Sequence, residues 1–396
     1  MLYKPSERDT ALMTPKPVLF MIVIFVLLVS GCAYTPERNV LLNSEQLNPL
    51  DTPGLRFWDE SVISTDNYDF SHAIESLVEH SNKSGQVNHL ALSGGGFNGA
   101  FSAGVLNAWN ESGTRPEFDV VTGVSTGAIV SIFAFLGSEY DQKLKGYYTR
   151  TTADEMFKRN SIFQLLFRNS MVDVSGFEFK VRDAVDAIMV NQLAVERSKG
   201  RILLIATTSL DNEKMAIWDV GKIAQIGTPQ AQQLIQDIII ASSAVPGLFP
   251  ATRITLPYRG GTVDELHVDG GVSRQVFLIP QGFQKTFVPK NIEKNIYVIR
   301  NGFLKPEFEE IENGLTSVSY RALSILIRRQ SIGDIEHIYN YSERNQIGFN
   351  LAYIDDDFSK DDLSSFSLEY VQKLYDYGYQ KTLDSDLWRR NLPDPG

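Results

Sequence analysis

The sequence is poor in cysteine, histidine and positive charge. Its 396 residues include one cysteine, Cys32, and five histidines, and its net charge is −11. A single cysteine excludes an intramolecular disulfide. The acidic balance argues against nucleic acid as the main partner. Low-complexity tracts and internal repeats are absent, and the length suits one large domain or two ordinary ones.

Long apolar runs are also absent, except for twelve residues at 18–29 that follow a basic start. Twelve residues are too few to span a bilayer comfortably, and small residues after the run fit a cleaved export signal. Leu28–Cys32 resembles the bacterial lipobox, which implies cleavage before Cys32 and attachment of diacylglycerol to its sulfur. A short transmembrane anchor is the alternative.

These features predict a lipoprotein signal peptide over 1–31, a polar tether over 32–67 and one hydrolase-sized domain over 68–396. Removing residues 1–31 takes away a net charge of +1 and leaves −12. A chain with this net charge is not attracted electrostatically to anionic lipid. We therefore expect acyl chains on Cys32 to hold it to a membrane of the bacterial cell envelope, facing the periplasm.

Strand patterns alternate with helical patterns along the rest of the chain. Apolar strands are predicted near 89–92, 118–122, 202–207, 215–220, 296–300 and 349–354. Helices are predicted near 68–80, 100–109, 128–136, 139–151, 153–167, 176–190, 229–241, 317–341 and 367–383. This alternation predicts an α/β sandwich with a mostly parallel sheet.

The stretch Val120–Gly127 has the pattern of a nucleophile elbow. A β-favouring run leads into Gly-Val-Ser-Thr-Gly, and a mostly apolar helical stretch follows. This arrangement forces the central serine, Ser125, into a strained conformation, and the flanking glycines avoid a Cβ clash. The hydroxyl then stands at the carboxyl end of the strand, where a helix start favours negative charge. A glycine-rich turn with an incidental serine is the alternative.

A glycine-rich loop, Gly94–Gly99, lies between a short apolar strand and a helical stretch. Its spacing fits the G-x-G-x-x-G motif of dinucleotide-binding sites. Such sites require an acidic residue about 20 positions after the motif, at the end of the next strand. Asp119 has that offset but opens its strand. Glycine amides at a helix start also suit an oxyanion hole. The serine turn that follows favours the oxyanion hole over a dinucleotide site or a purely structural loop.

A serine hydroxyl needs a base to activate it. Two histidines follow Ser125: His267 lies on a short strand and His337 lies within a long helical stretch. Asp269 stands between a strand and a glycine turn, where little would shield it from the serine. A Ser–Asp dyad is therefore the better account, and a Ser-Asp-His triad is the alternative. An ordinary Asp-Gly β-turn is the structural alternative for Asp269.

Four motifs occur in order: Gly94–Gly99, Gly123–Gly127, Ala241–Pro250 and Asp269–Gly271. Together they resemble the patatin-like phospholipase family over roughly residues 86–300. The resemblance implies a three-layer α/β/α sandwich, Ser125 as nucleophile and Asp269 as base. It also implies that the amides of Gly94, Gly95 and Gly96 form the oxyanion hole. Acyl esters would be hydrolysed through an acyl-serine intermediate, with no metal, cofactor or histidine.

The loop departs from the family at one place. Many members carry arginine or lysine between the third and fourth glycines, where this chain has Phe97 and Asn98. This departure puts phospholipid preference in doubt more than ester hydrolysis. We expect a membrane-tethered serine esterase or lipase of the phospholipase A or lysophospholipase type, acting on lipid or phospholipid. A catalytically inactive lipoprotein scaffold is the alternative from another class.

Overall fold

A computed structural model describes residues 37–59, 68–150, 153–159, 172–279, 292–359, 363–364 and 367–393. Its strands are β1 (Arg56–Trp58), β2 (Gln86–Leu92), β3 (Val120–Val124), β4 (Lys158–Arg159), β5 (Val172–Asp173), β6 (Ile202–Ser209), β7 (Lys214–Asp219), β8 (Thr252–Tyr258), β9 (Gly261–Asp269), β10 (Glu293–Phe303) and β11 (Gly348–Ile354). The predicted signal peptide and Cys32 lie outside the described residues.

The helices of the described ranges are α1 (Tyr68–Ser84), α2 (Gly99–Glu111), α3 (Thr126–Leu136), α4 (Asp141–Thr149), α5 (Ala153–Met156), α6 (Ser175–Ala184), α7 (Ala187–Ser198), α8 (Val220–Ala224), α9 (Pro229–Ser242), α10 (Leu315–Asn345) and α11 (Leu368–Leu383). Among these residues, no helix combines the length and the apolar character needed to cross a bilayer.

Nine strands form one sheet, whose main path runs β1-β7-β6-β3-β2-β10-β11. Five neighbouring strands, β6, β3, β2, β10 and β11, pair in parallel, while β1, β7, β8 and β9 join antiparallel. The mostly parallel sheet of an α/β protein is therefore confirmed. Strands β4 and β5 form a separate antiparallel pair.

Helices cover both faces of the sheet, because its central strands are apolar on both sides. In β2, Leu90 and Leu92 belong to one buried cluster, with apolar residues of α2, α3, α9 and α11. Ala91 belongs to a second cluster on the opposite face, with apolar residues of α1 and α10. The result is the three-layer sandwich that the family resemblance implied.

The prediction of a tether is wrong over 37–59. Strand β1 extends the sheet by pairing with β7, and Leu55 beside it is fully buried. The Arg56 guanidinium is buried and donates to Glu265 on β9 at 2.5 Å, and its ring neighbours are Trp58 and Trp218. Strand pairing and this ion pair fix the segment against the domain, although its sequence has no regular spacing of apolar residues.

Two helix predictions also need correction. Of the helix expected over 153–167, only Ala153–Met156 is helical, Lys158–Arg159 is a strand, and 160–167 lies outside the described residues. The helix expected over 176–190 is two helices that part at Asp186. The Asp186 carboxylate accepts the Met189 amide at 2.8 Å and caps α7, which is the reason a new helix begins there.

Candidate active site

Two strands meet end to end along one edge of β6. The first part of β6 pairs with β3, up to the pair Val124–Ala206. The next residue of β6, Thr207, pairs with Asp269 at the end of β9. Because Ser125 follows Val124, the register of the sheet places Ser125 beside Asp269, although 143 residues separate them in the sequence.

Ser125 has the backbone of a nucleophile elbow. Its φ and ψ are 57° and −126°, a region that non-glycine residues rarely occupy, and α3 begins at the next residue. A Cβ on Gly123 would lie 2.5 Å from the Gly127 carbonyl oxygen, and a Cβ on Gly127 would lie 2.4 Å from that of Leu92. Both glycines are therefore needed for the turn to fit, which is the geometry expected of the motif.

Asp269 is buried and hydrogen-bonded. One carboxylate oxygen accepts the Gly271 amide at 2.7 Å. Burial raises the pKa of Asp269 to about 7, although the nearby Ser125 side chain and the Gly271 amide both act to lower it. A carboxyl group with a pKa near neutrality can both take and return a proton at physiological pH.

The third motif holds the backbones of both residues. The Ser242 hydroxyl, at the end of α9, accepts the Ser125 amide at 2.9 Å. The Ala244 carbonyl, two residues later, accepts the Asp269 amide at 2.9 Å. The end of α9 thus ties the elbow to the aspartate. Sequence reasoning noted this motif but gave neither residue a role.

The glycine loop lies against the elbow, but one of its three predicted donors is already used. A Cβ on Gly94 would lie 3.2 Å from the Ser125 Cβ. The Gly94 amide donates to the Gln275 carbonyl at 3.2 Å, so it is not available to an oxyanion. The predicted role of Gly94 as a donor is therefore wrong, while Gly95 and Gly96 stay predicted donors. Among the described residues, the Gly95 and Gly96 amides have no hydrogen-bond partner.

A buried arginine supports the same loop from behind. Arg300, near the end of β10, donates from Nη1 to the Gly94 carbonyl at 2.8 Å and to the Ser93 hydroxyl at 3.2 Å. Burial lowers the pKa of Arg300 to about 10, so it remains charged at neutral pH. Because the carbonyl and amide of one trans peptide point in opposite directions, Arg300 fixes the direction of the Gly95 N–H.

The turn after Asp269 is held by a second set of contacts. The Gln275 side chain donates to the Gly271 carbonyl at 2.8 Å, and the Gln275 amide donates to Asp334 of α10 at 2.7 Å. Burial raises the pKa of Asp334 to about 6. Arg274 forms ion pairs with Asp334 and with Asp59, which follows β1. Segments remote in sequence thus fix the turn.

Among the described residues, neither histidine of the alternative triad has a hydrogen bond to Ser125 or Asp269. His267 is fully buried, and its ring nitrogens contact the Thr207 hydroxyl at 2.9 Å and the Glu265 carboxylate at 3.0 Å. His337 lies in α10, beyond Asp334 along the helix. Among the described residues, no group of three or more histidines, cysteines or carboxylates is placed to hold a metal ion.

An aromatic cluster begins at the glycine loop. Phe97 contacts Phe157 edge to face at 5.8 Å between ring centroids, and Phe157 stacks on Phe249 at 4.9 Å. Phe177 and Phe249 also line a cavity of about 300 Å³ that reaches Ala244, the partner of the Asp269 amide. The rings supply apolar surface beside the glycine loop, whereas the cavity is also lined by charged side chains: Glu178, Arg182, Asp237 and Arg253.

Comparison with known proteins agrees with this geometry. The model of the family described as "Patatin-like phospholipase" matches residues 90–279, a range that includes the glycine loop, Ser125 and Asp269. Residues 90–279 belong to the patatin-like phospholipase family. Membership supports lipid acyl hydrolase activity. A search of curated proteins found no match to the chain.

Two solved structures resemble this chain distantly. VipD from Legionella pneumophila is 14% identical with a TM-score of 0.38, over 76% of this chain and 67% of that one. Human GIVD cytosolic phospholipase A2 is 10% identical with a TM-score of 0.35, over 84% of this chain and 65% of that one. The chain thus spans about two thirds of each.

The patatin-like site contains residues that sequence reasoning missed. The loop has no arginine between its third and fourth glycines, but Arg300 brings a guanidinium to the loop from a different strand. A charged residue closing an apolar strand, Ile296–Arg300, was the available signal. Asn301, the next residue, contacts the loop so closely that a Cβ on Gly95 would lie 2.1 Å from its carbonyl oxygen.

Replacing Arg300 tests its positioning role. Arg300→Met removes the donor that fixes the Gly94–Gly95 peptide, so we expect kcat on a short-chain nitrophenyl ester to fall about 10- to 100-fold. KM should change little, because Arg300 is buried behind the loop. Arg115→Met is the matched control, since Arg115 is also buried and donates to a carbonyl, that of Leu106. Equal losses of kcat in both variants would contradict the role.

Proposed function

We propose that this chain hydrolyses acyl esters of phospholipids or lysophospholipids through a dyad of Ser125 and Asp269. One observation carries the proposal: the register of β6 puts Ser125, in the turn after β3, next to Asp269 at the end of β9. A general base must lie close to the proton that it removes, and the Ser125 side chain is near enough to lower the pKa of Asp269.

The proposed reaction needs only groups of this chain and water. Asp269 takes the hydroxyl proton of Ser125 while the Ser125 oxygen attacks the acyl carbonyl carbon. The Gly95 and Gly96 amides donate to the oxyanion of the tetrahedral intermediate. The leaving alcohol takes the proton back from Asp269, and an acyl-serine remains. Asp269 then deprotonates a water molecule that attacks the acyl-serine, which releases the fatty acid and restores Ser125.

The surroundings of the site favour an acyl substrate. The rings of Phe97, Phe157 and Phe249 extend from the glycine loop. Apolar walls with a few directed polar groups are typical of small-molecule sites. An acyl chain lying against these rings would leave its ester near Ser125.

We also propose that acylation of Cys32 anchors the chain in the bacterial cell envelope, with the domain in the periplasm. The lone cysteine at the end of a lipobox-like sequence supports this. Cys32→Ala should release the protein from the membrane fraction, as measured by fractionation and immunoblotting. Retention in the membrane with normal signal cleavage would contradict anchoring through Cys32.

Mass spectrometry of lipids tests the reaction directly. Phospholipid and lysophospholipid are incubated with wild-type protein and with Ser125→Ala, and free fatty acid is measured. Fatty acid released by the wild type alone supports the proposal. No release by wild type, together with no labelling of Ser125 by a fluorophosphonate, would favour the inactive scaffold.

A further inference from the structure

Helix α10 extends past the edge of the sheet that carries the site. Gln330, midway along it, donates to the Ser273 carbonyl at 2.6 Å, in the turn that follows Asp269. The end of α10 leads into β11, whose first residue, Gly348, pairs near the start of β10. Residues 330–345 therefore run from the carboxyl edge to the amino edge of the sheet. Residues 315–329, about 22 Å of helix, lie beyond the carboxyl edge, and we name them the projecting half of α10.

The projecting half exposes the stripe that a surface helix normally buries. Among its described side chains none is buried, and the first buried one along α10 is Ser331. Leu315 is 87% exposed and Leu326 is 66% exposed. Apolar side chains recur at intervals of three and four on one exposed side: Leu315, Val318, Ala322, Ile325 and Leu326. In most surface helices such a stripe packs against the hydrophobic core. On the projecting half of α10 the stripe is exposed instead.

Arginines border the stripe. Residues 315–330 include three arginines and no acidic residue, in a chain whose net charge is −11. Arg321 pairs with Glu309 in the preceding loop at 2.7 Å. Arg328 donates to the Leu304 carbonyl, and burial together with Arg329 and Arg321 lowers the pKa of Arg328. Because Glu309 pairs with Arg321, the positive charge that remains along the border is that of Arg328 and Arg329.

We propose that the projecting half of α10 docks onto a phospholipid bilayer, with its apolar stripe among the acyl chains and its arginines at the phosphates. The choice of a bilayer rests on the proposed lipid substrate and on position, since the helix leaves the domain beside Asp269. An apolar stripe bordered by arginine suits the membrane interface. Two copies meeting through this stripe would bring their arginines together, which like charge disfavours.

A fluorescent label tests the contact directly. Because Cys32 is the only cysteine, Cys32→Ala/Leu326→Cys carries one labelling site and lacks the predicted acylation site. Cys32→Ala/Ile188→Cys is the matched control, since Ile188 on α7 is 71% exposed. Vesicles of phosphatidylethanolamine and phosphatidylglycerol should shift the emission at position 326 to the blue and allow quenching by a lipid-borne nitroxide, with neither effect at position 188.

Three results would overturn the proposal. The first is no response at position 326, and the second is an equal response at both positions. The third is a response at position 326 to rising protein concentration without vesicles, which would assign the stripe to a second copy of the chain.

A paired variant tests whether docking serves hydrolysis. Leu315→Glu/Leu326→Glu should lower hydrolysis of vesicle phospholipid about tenfold or more relative to turnover of a soluble nitrophenyl ester. Ile188→Glu/Val195→Glu, with the same chemical change on α7, should not alter that ratio. An unchanged ratio in the α10 variant would contradict the proposal. If wild type hydrolysed neither substrate, the proposed function would fail, while the label would still report docking.

Discussion

Ser125→Ala should lower turnover of a short-chain nitrophenyl ester by about 10⁴- to 10⁶-fold, since the reaction has no other nucleophile of this chain to form the acyl-enzyme. Residual hydrolysis would come from binding and the glycine amides alone. Steady-state kinetics measure the loss. Intact-mass analysis after a fluorophosphonate should show one adduct on the wild type and none on Ser125→Ala.

Folding is a separate question that a matched control answers. The Ser242 hydroxyl accepts the backbone amide of Ser125, not its side chain, so the elbow should survive the change to alanine. Ser131→Ala removes another buried serine, one that donates to the Ala128 carbonyl within the same helix. It should retain turnover. Turnover by Ser125→Ala near the wild-type level would exclude Ser125 as the nucleophile.

Asp269→Asn should lower kcat/KM by about 10²- to 10⁴-fold, the contribution typical of a general base. The asparagine side-chain oxygen can still accept the Gly271 amide, so the turn should keep its shape. Burial in the folded protein raises the pKa of Asp269 from 3.8 to about 7. Folding therefore disfavours the charged form of Asp269. The group therefore costs stability as pH rises through that window. At pH 8 the melting temperature of Asp269→Asn should not be lower than that of wild type.

The same pKa predicts the pH dependence of the wild-type enzyme. Below about pH 7 Asp269 is increasingly protonated and cannot accept the serine proton. The value of kcat/KM should therefore rise with pH and level off above about pH 7, when measured from pH 5 to 9 with the uncharged ester. A profile that is flat across pH 7 would argue against Asp269 as the base.

Histidine variants distinguish the dyad from a triad. Burial lowers the pKa of His267, which contacts Thr207 and Glu265. His337→Ala should keep turnover. His267→Ala should affect stability more than chemistry, as judged from kcat of the folded fraction. Retained turnover in Asp269→Asn with complete loss in either histidine variant would establish the triad.

Local patterns predicted the parts of the site that depend on neighbours in the sequence. A serine between glycines, after a strand and before a helix, has few backbone solutions, and the elbow at Ser125 adopts the expected one. The glycine spacing likewise predicted a loop close to the nucleophile. The segment 37–59 was mistaken for a tether because β1 is three residues long and its partners are on β7 and β9.

Residue types and short spacings in the sequence thus determined the central parallel strands, the elbow and the family. Tertiary structure alone decided which groups meet. The register of β6 sets Asp269 beside Ser125, β10 brings Arg300 to the glycine loop, and Gln275 takes the Gly94 amide. It also decided that the apolar stripe of α10 is exposed. The physical reason is that periodicity specifies a local conformation and an apolar face, whereas contacts between distant segments depend on how the layers pack.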